Sequence, residues 1–165
     1  MKIYSLHAKQ ALPISVKEAW EFLSNPANLK VITPEHMGFK IHSGADRPMY
    51  AGQIIQYKVS PFHGFTTKWV TEITHVEKGS YFVDEQRFGP YQLWHHKHFI
   101  RKIDDGVEME DLIHYKLPLG WLGQMAHPIL VKKQLKQIFT YREAKLTALF
   151  GSVYGRDTEL KFDTF

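Results

Sequence analysis

The stretch DEQRFGPYQLWHHKHFIRKIDDGVEMEDLIHYKLPLG, residues 84–120, decides how the rest of the chain is read. Its apolar residues recur every second position, the period of a half-buried strand. Turn signals at Gly89-Pro90 and Asp104-Asp105-Gly106 break it into successive strands, and connections this short make the strands antiparallel. In the last strand Val107, Met109, Ile113 and Leu117 alternate with Glu108, Glu110, His114 and Lys116, so the first set faces inward. The same parity carries Asp111 and Tyr115 inside. With Asp104–Gly106 as a tight turn, His98 falls opposite Asp111, His96 opposite Ile113 and Trp94 opposite Tyr115. With Gly89-Pro90 as the turn before it, Asp84 falls opposite Trp94 and Gln86 opposite Gln92. One inner face therefore carries Phe82, Asp84, Gln86, Trp94, His96, His98 and Asp111, while His95 points outward and has no expected role.

Upstream, KIYSLHAKQAL suits a first strand ending at Pro13. SVKEAWEFLSN reads as a short helix, with Ser15 as N-cap, Glu18 completing a capping box, and Val16, Ala19, Trp20 and Leu23 on one face. Pro26 starts a second short helix that Pro34 ends. The period then falls to two. GQIIQYKVS places Ile55, Tyr57 and Val59 on one face, and GFTTKWVTEITHVEKG does the same for Phe65, Thr67, Trp69, Thr71 and Ile73. Downstream, a long helix starts near Pro128, with Val131, Leu135, Ile138, Phe139, Leu146 and Leu149 as its apolar stripe and Gly151 as its stop. The order is strand, two short helices, about six or seven strands in all, and a long final helix. That is an α+β fold in which a curved antiparallel sheet wraps the last helix and leaves a cavity where the two part. Residues 1–150 are expected to form a single domain, and 151–165 are an unassigned tail.

Bulk properties fit this reading. The chain has 165 residues, 44% of them hydrophobic and 14% aromatic, enough for a core. It has no cysteine, which excludes disulfides, thiolate catalysis and cysteine-bound metals. No apolar run reaches membrane-spanning length and no signal-peptide pattern opens the chain, so a cytoplasmic location is expected. The net charge of +4 is modest. In VKKQLKQ, residues 131–137, Lys132, Lys133 and Lys136 read as a solvated helix face, against the rival of a nucleic-acid or membrane-surface patch.

Buried carboxylates need partners. His98 with Asp111 is the cross-strand pair, and Arg142, on the helix stripe between Phe139 and Leu146, is placed to satisfy Asp84 or Asp111 or to hold an anionic group of a ligand. Arg142 at the stripe's edge, snorkelling out, is the rival placement. Hydrogen-bonded pairs at the polar end of a ligand cavity are one reading of the cluster. A second is acid–base catalysis by a His98–Asp111 dyad, and a third is a metal site of two histidines and a carboxylate. A fourth is pure structure, with no ligand.

The strings NLKVITP (28–34), VDEQRFGPYQLWHHKHF (83–99), DLIHYKLPLG (111–120) and QIFTYR (137–142), with the element order, resemble the START-like (SRPBCC) helix-grip superfamily. That superfamily includes the birch-pollen allergens and the polyketide cyclases and dehydratases, and the likeness is to a bacterial branch of it over about residues 1–150. The resemblance implies a helix-grip fold and a ligand cavity. It carries over no reaction, because the cyclases' catalytic residues are not matched residue by residue. The expected role is binding of a small hydrophobic or aromatic molecule with a polar end. Tyr57, Trp69, Phe82, Trp94 and Tyr115 would be walls, with Asp84, Gln86, His96, His98, Asp111 and Arg142 around the polar end. No metal, cofactor or nucleic acid is expected. A cyclase, dehydratase or hydrolase using His98 and Asp111 is the alternative, and any protein partner stays open.

Overall fold

The structure, a computed structural model, describes residues 2–62 and 65–164. The side chain of Phe65, expected on an inner strand face, lies outside the described residues, as does Phe165 of the tail. The segments of period two form one open antiparallel sheet. Its strands are β1 (Tyr4–Leu12), β2 (Lys40–Ser43), β3 (Gln53–Phe62), β4 (Phe65–Glu77), β5 (Tyr81–Phe88), β6 (Leu93–Ile103), β7 (Gly106–Lys116) and β8 (Glu159–Thr164), in the order β2-β3-β4-β5-β6-β7-β1-β8. The strand beyond the six or seven expected comes from the tail, where β8 pairs with β1 from Tyr4↔Thr164 to Lys9↔Glu159 and covers its edge. ELKFDT has no fully buried residue, so no inward face marks it as a strand in the sequence.

Helix α1 (Val16–Leu23) has the expected capping box: the Glu18 N–H donates to Ser15 Oγ at 3.2 Å and the Ser15 N–H to Glu18 Oε2 at 2.9 Å. The second short helix is a 3-10 turn, Pro26–Lys30, capped by Asn25; Pro34 leads into another, Glu35–Met37. The long C-terminal helix starts earlier than expected. It comprises α2 (Gly120–Ala126), one π turn at His127–Val131, and α3 (Lys132–Phe150). Pro128 thus lies inside the helix. Proline has no N–H and its ring crowds the carbonyl four residues back. The π turn, in which the Lys132 N–H reaches the His127 carbonyl, is a bulge of the kind that absorbs such a misfit. Leu149, expected on the stripe, is half exposed; Gln134, Leu135, Phe139, Arg142 and Leu146 are the buried residues of α3. Among the described residues no helix is long and apolar enough to cross a membrane.

Two registers position the site. Between β6 and β7, His98 faces Asp111, His96 faces Ile113 and Trp94 faces Tyr115, as a tight turn at Gly106 predicts. Gly106 is held at φ +142°, and a Cβ there would lie 2.1 Å from the Leu12 carbonyl oxygen, so only glycine fits this turn. Between β5 and β6 the register differs from expectation by two residues: Asp84 faces His96 and Phe82 faces His98. The ladder stops at Glu85↔His95 because Gly89-Pro90 belongs to a wider loop. Gln86 closes that loop with its side chain, donating Nε2 to the Tyr91 carbonyl at 2.6 Å and accepting the Tyr91 N–H at 3.2 Å.

Candidate functional site

Four strand side chains and one helix side chain meet on the concave face of the sheet. Alternation along β6 points His96 and His98 inward, with Asp84 of β5 on one side and Asp111 of β7 on the other. Both rings lie between the two carboxylates. His98 Nε2 is 2.9 Å from Asp84 Oδ1 and its Nδ1 is 2.7 Å from Asp111 Oδ1. His96 Nε2 is 2.9 Å from Asp111 Oδ1 and its Nδ1 is 3.4 Å from Asp84 Oδ1. From α3, Arg142 Nη1 donates to Asp111 Oδ2 at 3.1 Å.

An imidazole with a carboxylate oxygen close to each nitrogen is best satisfied with both nitrogens protonated, since a neutral ring would set a lone pair against a carboxylate. His98 is that ring. Burial works against its charge, but Asp111 and Asp84 outweigh burial and raise its pKa. His96, also buried and beside a charged His98, is shifted down and stays neutral. Burial opposes ionisation of Asp111, yet Arg142 and the histidines hold its carboxyl well below the usual range. Asp84 is held down by His96, His98 and Arg142 against the same burial penalty. Two carboxylates, one guanidinium and one imidazolium cancel, which is how so many ionisable groups are accommodated in the interior. The charged His98 ring also stacks on Phe82, with centroids 4.1 Å apart.

This cluster borders a cavity of about 190 Å³ between the sheet and α3. Of the residues expected around a ligand, Tyr57, Trp69, Phe82, Asp84, Trp94, His96, His98 and Arg142 line it. Gln86, Asp111 and Tyr115 do not. Gln86 is committed to the Tyr91 loop, and Asp111 sits behind the imidazoles, where it orients them. Tyr115 is fully buried, its hydroxyl 2.7 Å from His127 Nε2, and His127 stacks on Tyr4. Burial and the nearby Lys132 and Lys2 lower the His127 pKa to about 4, so the ring is neutral and its Nε2 accepts a hydrogen bond from the Tyr115 hydroxyl.

Sequence reasoning missed Tyr91, which lines the cavity and packs on Trp94 at 4.8 Å. It sits in the loop that was read as a turn, and no periodicity marks it. Thr71, hydrogen-bonded to the Tyr57 hydroxyl at 2.8 Å, and Gln134 were also missed, although parity with Trp69 pointed Thr71 inward.

Two residues of the cavity lining each keep an unmet donor. Trp69 Nε1 and Arg142 Nε are buried and have no hydrogen-bond partner among the described residues. An unmet buried donor is costly, and structures rarely keep one without a use. Asp84, His96 and His98 also bring potential metal-ligand atoms within 4.8 Å of one another. The charges already balance with a proton on His98; exchanging that proton for a divalent cation would leave the cluster with excess positive charge beside Arg142.

No family model matches the chain, and no curated protein does. Solved structures do match over nearly the whole chain. CV1439 from Chromobacterium violaceum superposes with a TM-score of 0.69 at 12% identity, covering 90% of this chain and 99% of that one. Ginseng major latex-like protein 151 from Panax ginseng gives 0.67 at 11% identity, covering 91% and 99%. The di-domain ARO/CYC StfQ of the steffimycin biosynthetic pathway gives 0.63 at 9% identity, covering 89% of this chain and 52% of that one. These likenesses show the fold: in architecture the chain is a helix-grip protein, a curved antiparallel sheet around a long C-terminal helix.

Proposed function

We propose that the protein binds a small hydrophobic or aromatic molecule between the sheet and α3, and that the ligand's polar end is a hydrogen-bond acceptor. The observation that carries this reading is the pair of unpartnered buried N–H groups, Trp69 Nε1 and Arg142 Nε, on two residues of a mostly apolar lining. Trp69 and Trp94 meet edge to face at 5.4 Å, and Tyr57 stacks beside Trp69, giving flat surfaces for a ring. The cavity volume is below the roughly 300–1,000 Å³ that encloses drug-sized ligands, which suits one or two rings. The salt-bridged cluster orients Arg142 through Asp111 and keeps the polar end of the cavity rigid.

Tryptophan fluorescence and calorimetry with matched probes test this. 2-Naphthoate should bind and quench emission about tenfold more tightly than the isosteric naphthylmethylammonium. Trp69→Phe keeps an aromatic face, removes the donor, and should weaken naphthoate by about fivefold. Equal affinity for the two probes, or no effect of Trp69→Phe, would sink the acceptor reading.

A cyclase-, dehydratase- or hydrolase-type enzyme is the second reading, favoured by His96 and His98 both lining the cavity. His98 as a general base, oriented by Asp111, has no free lone pair in this arrangement, because both its nitrogens face carboxylates. Catalysis through it would need one of these two contacts to break, so that the protonated ring can donate to the ligand as an acid. Turnover that survives His98→Gln would remove this reading.

A further inference from the structure

The start of the C-terminal helix is apolar on its wet side. Among the described residues thirteen large apolar side chains are exposed, and six of them fall between Leu119 and Leu130: Leu119, Trp121, Leu122, Met125, Ile129 and Leu130, each 50–77% exposed. The helix turns a different set toward the protein. Gly123, His127 and Val131, spaced by four, are buried, and a Cβ on Gly123 would lie 2.1 Å from the Pro118 carbonyl oxygen. Helix α2 therefore packs through its backbone, while Trp121, Met125 and Ile129, also spaced by four, form an outward stripe. Leu119 starts the stripe with its backbone at φ +64°, the single non-glycine residue in that region among those described, and with its side chain in solvent. Exposed Phe88 and Leu93 lie at the same end of the sheet, where Leu93 pairs with Lys116. An apolar patch this concentrated marks a contact surface rather than scattered exposure.

Its charge says what kind. From Leu112 to Arg142 the chain contains no Asp or Glu. Lys116 borders the patch on one side, and exposed Lys132, Lys133 and Lys136 follow it on the other. We infer that this face docks on an anionic lipid surface, with the Trp121–Ile129 stripe seated at the boundary of headgroups and acyl chains and the lysines against acidic headgroups. Tryptophan, leucine, isoleucine and methionine beside a basic collar is the composition of interfacial helices. A second copy of the chain fits worse, because a two-fold contact sets one lysine collar against the other. Nucleic acid would meet the lysines but leave the apolar stripe uncovered. The inference stands apart from the cavity, whose lining excludes residues 119–130.

The test is cosedimentation of the full chain with vesicles of phosphatidylcholine alone or with about one quarter phosphatidylserine, at low and high salt. Binding should be at least about tenfold stronger to the anionic vesicles, fall with salt, and shift Trp emission to the blue. The pairs Trp121→Ser/Ile129→Ser and Lys133→Glu/Lys136→Glu, all at exposed positions, should each lower binding about tenfold with unchanged Tm. Equal binding to both vesicles, binding unaffected by either pair, or no binding by a monomeric protein overturns the inference, the last in favour of an acidic protein partner. So does a dimer in sedimentation equilibrium that Trp121→Ser/Ile129→Ser dissolves.

Discussion

Replacing Asp111 by asparagine keeps the side chain's size and removes the charge on which three donors converge. Asp111 Oδ1 faces His96 and His98, and Oδ2 accepts from Arg142. Charge-assisted bonds contribute about 1.5–3 kcal/mol each but do not add within one network. The fitting comparison is loss of one partner from a buried ion pair, about 3–5 kcal/mol. At roughly 2–4 °C per kcal/mol for a chain of this size, Tm should fall by about 6–20 °C at neutral pH. The pH profile is more specific. His98 has a raised folded pKa, so its stabilisation is present below the ordinary histidine value and is lost as pH rises through the folded one. Asp111 has a depressed folded pKa, so its share is present above the ordinary carboxylate value and is lost as pH falls. The gap between wild type and Asp111→Asn should thus be widest between about pH 5 and 6.5 and narrow on both sides, keeping the Arg142 share at high pH. Thermal unfolding across pH measures the gap, and NMR titration of the His98 ring should show its pKa lowered in the variant. Glu108→Gln, on the outer face of the same strand, is the control and should cost under about 1 kcal/mol. A variant within about 1 kcal/mol of wild type at pH 6, or an unmoved His98 titration, would refute the shared buried network.

Other consequences are simpler. His127 is neutral in the fold with a pKa of about 4, so stability should drop as pH falls from 6.5 towards 4, by roughly 3 kcal/mol at about 1.4 kcal/mol per unit. His127→Asn should flatten that part of the Tm profile; an unchanged slope would mean that the ring is not held neutral. Gln86→Ala removes both bonds to the Tyr91 backbone and should cost about 1–2 kcal/mol while weakening naphthoate binding, read by urea unfolding and calorimetry. Ending the chain at Asp157 removes β8 and uncovers the edge of β1, so size-exclusion chromatography should show self-association that the full chain lacks.

How far the sequence could be read depended on whether a local signal agreed with the tertiary arrangement. Residues 106–117 alternate strictly and follow a tight glycine turn, so the pairing of His98 with Asp111 was legible. The second link of His98, to Asp84, was not, because side-chain bonds from Gln86 replace the ladder that a short turn would have set. Arg142 was legible from its place between Phe139 and Leu146 on one helix face. The helix start at Gly120 was hidden for two reasons. A proline inside a helix reads as a boundary, and Leu119–Leu130 carries its apolar residues on the side away from the core, which inverts the usual signal. Strand β8 was hidden because its side chains bury too little to need a pattern. Cavity lining by Tyr91 arises from a loop closing over the sheet, a long-range effect without local spacing.

The most direct test is native mass spectrometry of the protein equilibrated with a small-molecule extract of its own host. The account predicts an equimolar adduct with an aromatic or hydrophobic molecule that carries a carboxylate or carbonyl acceptor, and loss of that adduct in Trp69→Phe combined with Arg142→Met. A bare polypeptide mass at every extract concentration, or an adduct undiminished in a folded double variant, would contradict it.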